Sequence, residues 1–309
     1  MTYDPKTPPD SLRAFRQRLI DEGWMLPGGV PGIVGWSGAF ERIVEGFEAA
    51  QARCGAWQRA EVLRFPPLFP RADYARTGHL RKFPNQVGAV ETFEGGPAET
   101  PALLDAFDRG DDWSRYLGTA DMMLVPAACY PLYATARGTL PADGRTVDIR
   151  TPVFRHEPSD DPFRVQCFRQ REYVRLGTPE QALAHRDHWV DAGRALLGSI
   201  GLECEATLAS DPFFGSGARL LRASQLEQAL KFEFTVTLWP DCAPVSLGSS
   251  NLHLDHFTTT FDVRCADGAR AHSACCGFGL ERVALALLAT HGTDPSRWPD
   301  KVRAQLGMA

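Results

Sequence analysis

The stretch FRHEPSDDPFRVQCFRQRE, residues 154–172, decides the fold of this chain. Its two ends are predicted to form β-strands. The segment between them is rich in proline and aspartate, which predicts a turn or short loop. Because side chains alternate along a strand, residues two positions apart share a face. One face of the resulting hairpin is expected to carry Arg155, Glu157, Arg164, Phe168 and Glu172.

This set of side chains suits a nucleoside triphosphate. Guanidinium groups bind phosphate oxygens through paired hydrogen bonds, and an aromatic ring can stack on a base. The alternative is a solvated hairpin with ion pairs across its strands, which this segment alone does not exclude.

A second informative segment reads CCGFGLER, residues 275–282, and runs into the apolar stretch 283–288. The glycines permit close approach of the backbone, and the apolar run predicts a buried helix. Arg282 then lies in the first helical turn, where a positive charge opposes the helix dipole. Such a charge indicates a functional role, such as holding an anion, although the glycines alone are also compatible with simple packing.

Together the two segments resemble motifs two and three of the class II aminoacyl-tRNA synthetases, most closely the seryl branch. Further segments resemble seryl elements in the same order, with motif one at 61–68, followed by 77–83, 231–234 and 249–251. The resemblance implies an α+β fold of the class II synthetase-like type, in which helices flank an antiparallel sheet. It also implies a homodimer formed through motif one. We expect residues 1–309 to form a single catalytic domain, because no linker or repeat divides the chain.

The chain departs from the seryl enzymes in the N-terminal segment 1–55. This segment sustains no heptad pattern, so we expect it to lack the long helical arm that grips tRNA. One amphipathic helix is predicted around residues 40–53. Its apolar face would carry Phe40, Ile43, Val44 and Phe47. The net charge of −5 and the pI near 5.9 also indicate no basic face for an RNA backbone.

A class II core without this arm is similar to the amino acid:[carrier protein] ligases, which are truncated homologues of the zinc-dependent, atypical seryl enzymes. The resemblance implies ATP-dependent formation of an aminoacyl adenylate and transfer to the 4'-phosphopantetheine thiol of a small acidic carrier protein. We expect a small amino acid as substrate, glycine or alanine ahead of serine, and neither tRNA nor a membrane as partner. Two alternatives remain, a zinc-dependent seryl-type synthetase that charges tRNA and a non-enzymatic paralogue.

The eight cysteines form no Cys-x-x-Cys pair, so their spacing encodes no structural zinc knuckle. Neither a secretory signal nor a transmembrane stretch is visible, which predicts a cytoplasmic protein with free thiols. It is the resemblance that implies a zinc site, with Cys129, Glu172 and Cys275 as ligands and Cys276 as the alternative to Cys275. Three protein ligands would leave zinc a fourth position for the amino group of the substrate.

The resemblance also implies roles in the nucleotide site. Arg155 and Arg282 would be catalytic, with Arg155 at the α-phosphate and the substrate carboxylate and Arg282 stacked on adenine. Glu172 and Glu233 would contact the amino acid. ATP would be bound by Arg155, Glu157, Arg164, Val165, Phe168, Arg169, Ser249, Ser250, Asn251 and Arg282.

Mg²⁺ would accompany ATP. The seryl enzymes carry a glutamate about six residues before the asparagine that matches Asn251, and this chain has Val245 there. Asp241 or Glu233 would have to supply the replacement contact.

Residues 178–230 are expected to form a helix-rich insertion that docks the carrier protein, with helices at 179–197 and 220–230. Three basic residues are candidates for contact with an acidic carrier, namely Arg219, Arg222 and Lys231. The alternative is that they are ordinary surface charges on packed helices.

Turn residues cluster in the stretch 138–150, which we interpret as a surface turn before motif two. His156 is interpreted as a structural or surface histidine. His253 and His256 are interpreted as hydrogen-bonding strand residues rather than metal ligands.

Overall fold

The computed structural model describes residues 9–211 and 218–308. The α-helices are α1 Asp10–Asp21, α2 Gly38–Gly55, α3 Arg71–Arg76, α4 His79–Lys82, α5 Thr100–Asp108, α6 Tyr130–Thr135, α7 Pro179–Ser199, α8 Ala218–Glu227, α9 His256–Thr260, α10 Leu280–His291 and α11 Asp300–Gln305. Within the described ranges, no helix combines the length and the apolar character needed to cross a membrane.

The strands are β1 Met25–Pro27, β2 Val34–Trp36, β3 Glu61–Arg64, β4 Leu68–Pro70, β5 Ala89–Phe93, β6 Leu117–Leu124, β7 Gly138–Thr139, β8 Arg145–Phe154, β9 Cys167–Gly177, β10 Glu205–Leu208, β11 Lys231–Val236, β12 Val245–Leu254, β13 Val263–Arg264 and β14 His272–Gly279. Seven of them form the central sheet in the order β10-β11-β12-β14-β9-β8-β3. Every neighbouring pair in this sheet is antiparallel except β3 and β8. The predicted antiparallel sheet flanked by helices is confirmed.

The long pair β8–β9 forms the middle of this sheet, but its strands do not begin and end where the sequence predicts. The interpretation of 138–150 as a surface turn is wrong beyond residue 144, because β8 begins at Arg145. Val147, Ile149 and Val153 alternate into the core and supply the hydrophobic pattern that outweighs the turn residues before them. The tight turn itself is closed by the amide of Gly144, which donates to the carbonyl of Pro141 at 2.8 Å.

The strand prediction for residues 154–157 and 164–166 is also wrong in its bounds. β8 ends at Phe154 and β9 begins at Cys167, so residues 155–166 form the loop that connects them. This loop carries the charged residues Arg155, Glu157 and Arg164 away from the ladder of backbone hydrogen bonds. Their side chains are therefore positioned by loop contacts and not by strand alternation alone.

Three helices, α2, α7 and α10, cover one face of the central sheet. The predicted apolar face of α2 is confirmed, since Phe40, Ile43, Val44 and Phe47 are all fully buried. The helix predicted at 179–197 is α7, in which Trp189 is fully buried and Leu183 is 41% exposed.

A buried ion pair joins the sheet to α2. The guanidinium of Arg171 donates to both carboxylate oxygens of Asp148, at 3.0 and 2.7 Å, and to the backbone carbonyl of Glu48 at 2.6 Å. Both charged side chains are almost completely removed from water. Bidentate geometry together with a third acceptor is what a buried charge pair needs to offset its desolvation.

We predict that Arg171→Met lowers the free energy of unfolding by about 3–5 kcal/mol, because it leaves the buried Asp148 carboxylate without its bidentate partner and with only Arg64, at 3.8 Å, nearby. Arg109→Met is the matched control. Arg109 pairs with Asp105 and Asp111 at the surface, where an ion pair is worth at most about 1 kcal/mol. Urea denaturation of both variants measures the difference. Equal losses would contradict the importance of the buried pair.

Candidate active site

A cavity of about 750 Å³ opens on the face of the central sheet opposite α2 and α10. On β9 and β14 strand alternation decides which side chains reach it, since the residues of these two strands that line it lie two positions apart. From the predicted site, the cavity is lined by Cys129, Arg155, Glu157, Arg164, Phe168, Glu172, Glu233, Ser249, Asn251, Cys275 and Arg282. The loop between β8 and β9, α6 and the start of α10 bring in the remaining side chains.

One end of the cavity combines an aromatic ring with two guanidinium groups. The guanidinium carbon of Arg155 lies 5.5 Å from the centre of the Phe168 ring, and its Nε donates to the carbonyl of Pro126 at 2.9 Å. Arg282 donates from Nε to the carbonyl of Phe163 at 2.8 Å and from Nη1 to that of Ser246 at 3.0 Å. These backbone acceptors fix both guanidinium groups before any ligand binds.

Burial, together with the nearby guanidinium groups of Arg164 and Arg155, lowers the pKa of Arg282 to about 10. Arg282 therefore stays positively charged at neutral pH, although three like charges converge on this end of the cavity. Such a concentration of positive charge is suited to a polyanion such as a triphosphate.

Glu157 is held by a residue that the sequence did not indicate. The side-chain amide of Gln86 donates to Glu157 Oε1 at 2.7 Å, and the backbone carbonyl of Gln86 accepts from the amide of His156. Gln86 comes three residues after the predicted segment 77–83, so proximity to that segment was the available signal. His156 itself is exposed and hydrogen-bonds to Gln166, which agrees with a surface role.

Three residues predicted to bind ATP do not line the cavity. Val165 is packed in the hydrophobic core. Ser250 is fully buried, and its hydroxyl donates to the carbonyl of Arg186 at 2.9 Å. Arg169 follows Phe168 on β9, so alternation turns it to the opposite face.

On that opposite face Arg169 joins three elements. Its guanidinium contacts both carboxylate oxygens of Glu41 in α2, at 2.5 and 2.9 Å, and Oε1 of Glu281 at 2.6 Å. The backbone amide of Arg169 also donates to Glu281 Oε2 at 2.8 Å. Because Phe168 and Arg282 are the sequence neighbours of this pair, the contact fixes the aromatic ring and the guanidinium relative to each other.

The other end of the cavity holds the three predicted metal ligands. One ligand atom from each of Cys129, Glu172 and Cys275 lies within 4.8 Å of the others, and all three side chains are buried. Gly277 makes room for this arrangement. A Cβ atom at Gly277 would lie only 2.6 Å from Cγ of Glu172, the residue paired with it across β9 and β14.

The electrostatics of these three groups suit a cation. A hydrogen bond with Cys275 and burial raise the pKa of the Cys129 thiol well above its usual range. Burial likewise raises the pKa of the Glu172 carboxyl, and Glu172 Oε2 is buried without a hydrogen-bond partner. A bound metal ion would replace the protons that such groups otherwise retain and would satisfy the unpartnered oxygen.

The alternative ligand Cys276 faces away from this cluster. It is fully buried among the apolar side chains beneath α2, α7 and α10, as alternation along β14 requires. Two other side chains surround Cys275 instead. Asn251 donates to its sulfur at 3.5 Å, and His253 Nε2 lies 3.5 Å from the same atom. Contacts of this kind orient a metal ligand.

His253 is a hydrogen-bonding strand residue, as the sequence predicts, with Nδ1 2.9 Å from the hydroxyl of Tyr133. The strand assignment of His256 is wrong, because this residue begins α9. Burial keeps the pKa of His253 near 3, so its imidazole is neutral.

Of the two residues predicted to replace the missing Mg²⁺ contact, Asp241 and Glu233, only Glu233 lies at the cavity. Asp241 does not line the cavity, and its carboxylate accepts from the amide of Ser11 at 3.2 Å. Glu233 does line the cavity, and its carboxylate forms an ion pair with Lys231 at 2.8 Å.

Lys231, a candidate for contact with the carrier protein, also contacts Asp211 at 2.5 Å and is 8% exposed. The prediction that Lys231 could meet a carrier protein is therefore wrong, whereas Arg219 and Arg222 are exposed.

Comparison with solved structures identifies the class of this fold. The Methanopyrus kandleri seryl-tRNA synthetase, solved in complex with A. aeolicus tRNASec, superimposes with a TM-score of 0.80 over 99% of this chain and 61% of that chain, at 21% identity. The structure is thus a class II aminoacyl-tRNA synthetase-like catalytic fold, as predicted.

Sequence comparison narrows the class to a family. No protein-family model matches the chain. Amino acid--[acyl-carrier-protein] ligase 2 of Bradyrhizobium diazoefficiens is 41% identical over 283 residues, which cover 91% of this chain and 84% of that protein. A type-2 serine--tRNA ligase of Methanopyrus kandleri is 29% identical over 78% of this chain and 50% of that protein. The chain belongs to the amino acid--[acyl-carrier-protein] ligase family and is a ligase.

We predict that the purified protein carries a divalent metal ion, and that Cys129→Ser and Cys275→Ser each lose it because each removes one of three ligands. Cys276→Ala is the matched control. It should retain the metal and cost about 1 kcal/mol of stability through a small core cavity. Elemental analysis by mass spectrometry measures the metal. Loss of metal from Cys276→Ala, with retention in Cys275→Ser, would assign the ligand to Cys276.

Proposed function

We propose that this chain activates a small amino acid with ATP to an aminoacyl adenylate and transfers it to the phosphopantetheine thiol of a carrier protein. One observation carries the proposal. The charged and aromatic end of the cavity, with Arg155, Phe168 and Arg282, opens into the same space as the buried Cys129–Glu172–Cys275 cluster. ATP and an amino acid bound at the two ends would meet between them. The names of the relatives at 41% identity support this reaction.

Activation needs positioning more than proton transfer. The substrate carboxylate is already a nucleophile, and Arg155, Arg164 and Arg282 would neutralise the charge of the departing pyrophosphate. Mg²⁺, when bound with ATP, would add to this neutralisation. Phe168 would stack on adenine, with Arg282 on the other side of the base. Glu157 would accept from the adenine amino group, oriented by its hydrogen bond from Gln86.

Ser249 and Asn251 line the cavity and would complete the nucleotide and metal region. Glu233 remains the carboxylate candidate for the second contact to Mg²⁺, because Val245 also lines the cavity and offers no ligand.

The Cys129–Glu172–Cys275 cluster is proposed to hold Zn²⁺. Two thiolates and a carboxylate match the donor set that zinc prefers, and three protein ligands are typical of a working site. When bound, zinc offers an open position to an unprotonated amino group, which would select amino acids over hydroxy or fatty acids. Asn251 and His253 would fix the orientation of the ligand Cys275 beside that position.

We further propose glycine or alanine as the substrate. Tyr130 follows Cys129 directly, and its ring centre lies 5.3 Å from that of Phe257 in the cavity wall. Two bulky rings beside the amino-acid end favour a small side chain. Because one methylene changes the free energy of binding by only about 1–3 kcal/mol, glycine and alanine should both be accepted to some degree.

A carrier protein is proposed as the acceptor in preference to tRNA. The net charge of −5 offers no broad basic face to an RNA backbone. The insertion 178–230 presents exposed Arg219 and Arg222 on α8, which could contact an acidic carrier. The homodimer through motif one and the cytoplasmic location are part of the same proposal. Val62 on the edge strand β3 is 60% exposed and would be covered in such a dimer.

The proposal is tested by amino-acid-dependent exchange of pyrophosphate into ATP with all twenty amino acids, followed by acceptor assays with a holo acyl carrier protein and with total tRNA. We expect exchange with glycine or alanine and labelling of the carrier protein. Labelling of tRNA instead would favour a seryl-type synthetase. A folded, metal-loaded protein without any exchange would favour a non-enzymatic paralogue.

We predict that Arg155→Ala lowers kcat/KM of the exchange reaction by roughly 1,000-fold, because it removes a positive charge from the reacting phosphate. Arg150→Ala is the control. Arg150 lies on β8, five residues before Arg155, but it pairs with Glu48 at 3.1 Å and does not line the cavity. Its kcat/KM should stay within about twofold of the wild-type value. Equal losses in both variants would argue against a role for Arg155 at the phosphate.

A further inference from the structure

The cavity wall contains a lysine that the activation step leaves unused. Lys82 is the last residue of α4 and lines the same cavity as the metal ligands. Among residues 9–211 and 218–308, no carboxylate lies within 4.0 Å of its amino group. Lys231 also lines the cavity, but it forms ion pairs with both Asp211 and Glu233. The two lysines therefore have opposite electrostatic environments.

The contacts of Lys82 favour an uncharged amine. Its Nζ lies 3.3 Å from Nε2 of His256, and the same Nε2 lies 3.1 Å from the carbonyl oxygen of Thr77. In the tautomer with hydrogen on Nε2, His256 donates to the carbonyl of Thr77, which can only accept. An ammonium group at Lys82 would then face another donor. A neutral amine can instead turn its lone pair toward Nε2 and share that hydrogen with the carbonyl of Thr77.

The groups facing Lys82 support this protonation state. Burial lowers the pKa of Lys82, and Asp211 opposes the shift only from a distance. Burial also lowers the pKa of His256 and brings those of His79 and His253 to about 3, so these imidazoles are neutral. Among the described residues, no carboxylate pairs directly with the amino group of Lys82, and the negative charge of Asp211 acts on it only from a distance.

The position of Lys82 is on the amino-acid side of the cavity. Lys82 and His79 belong to the same turn of helix, and Nδ1 of His79 lies 3.2 Å from the hydroxyl of Tyr130. Tyr130 is the residue after the metal ligand Cys129. A base placed here is next to the acyl group of a bound adenylate rather than next to its adenine.

We propose that Lys82 is a catalytic residue of the transfer step, accepting the proton of the acceptor thiol as the sulfur attacks the adenylate. This inference rests on the proposed function. The S–H bond breaks and its proton moves to Nζ, while the sulfur electron pair forms the C–S bond to the carbonyl carbon. The C–O bond to the phosphate breaks, AMP leaves with that electron pair, and Lys82 later returns its proton to water.

The two half-reactions differ in their need for such a group. The carboxylate that attacks ATP is ionised at neutral pH, whereas an alkyl thiol is mostly protonated, since even a cysteine thiol has a pKa near 8.5. A lysine of lowered pKa can remove that proton without being permanently charged. This is why the base belongs to the second step alone.

The test compares Lys82→Met and Lys82→Arg with the wild-type enzyme, using free pantetheine as the acceptor. The ratio of aminoacyl-pantetheine formation to pyrophosphate exchange isolates the transfer step. We expect this ratio to fall about 100-fold in both variants, because neither side chain can act as a base. The deficit should shrink as pH rises past the pKa of the pantetheine thiol, where that thiol ionises without assistance. Arg81→Met, on the same helix but outside the cavity, should keep the wild-type ratio.

Three results would overturn the inference. An unchanged ratio in Lys82→Met would exclude Lys82 from the transfer step. Recovery in Lys82→Arg would show that a positive charge, and not a base, is required. Exchange without any aminoacyl-pantetheine from the wild-type enzyme would instead reject the proposed thiol acceptor, and Lys82 as its base with it.

Discussion

The strict alternation of side chains along β9 and β14 is the constraint on which the rest of this structure depends. Glu172 and Cys275 point into the cavity, while their neighbours Tyr173 and Cys276 pack beneath the helices. A shift of either strand by one residue would exchange the two sets, burying a carboxylate in the apolar core and losing the ligand cluster. Core packing and site assembly are therefore enforced by the same register, and neither can be changed separately.

The sequence predicts those parts of the site that follow from a strong local pattern. The hydrophobic spacing of α2 correctly indicates its buried face, and alternation on β9 correctly places Phe168 and Glu172 on one face of the sheet. The metal cluster depends on the resemblance, because Cys129 and Cys275 are far apart in the chain and their spacing carries no information. Which of Cys275 and Cys276 can be the metal ligand depends on the face of β14 on which each side chain lies. A sequence motif does not show that face.

The failures have a common physical origin in contacts between distant segments. From the sequence, Arg169 is predicted to bind ATP because it carries a positive charge next to Phe168. The sequence does not show that this charge is paired with Glu41 and Glu281. The start of β8 is hard to recognise because polar and turn residues precede a strand whose core-facing side chains are decisive. The sequence does not single out Lys82 within the segment 77–83, since the contact of its amino group with His256 depends on where α4 meets α9. Burial and pairing are properties of the folded chain, and local pattern cannot supply them.

The ion pair between Arg169 and Glu281 also has an evolutionary consequence. Arg169 and Glu281 do not line the cavity. Each is next in sequence to a residue that does, because Phe168 precedes Arg169 and Arg282 follows Glu281. Loss of Arg169 would leave the buried carboxylate of Glu281 without its cation, so selection should accept it only with a compensating change at position 281. Across related sequences, positions 169 and 281 should therefore vary together, while each drifts rarely by itself.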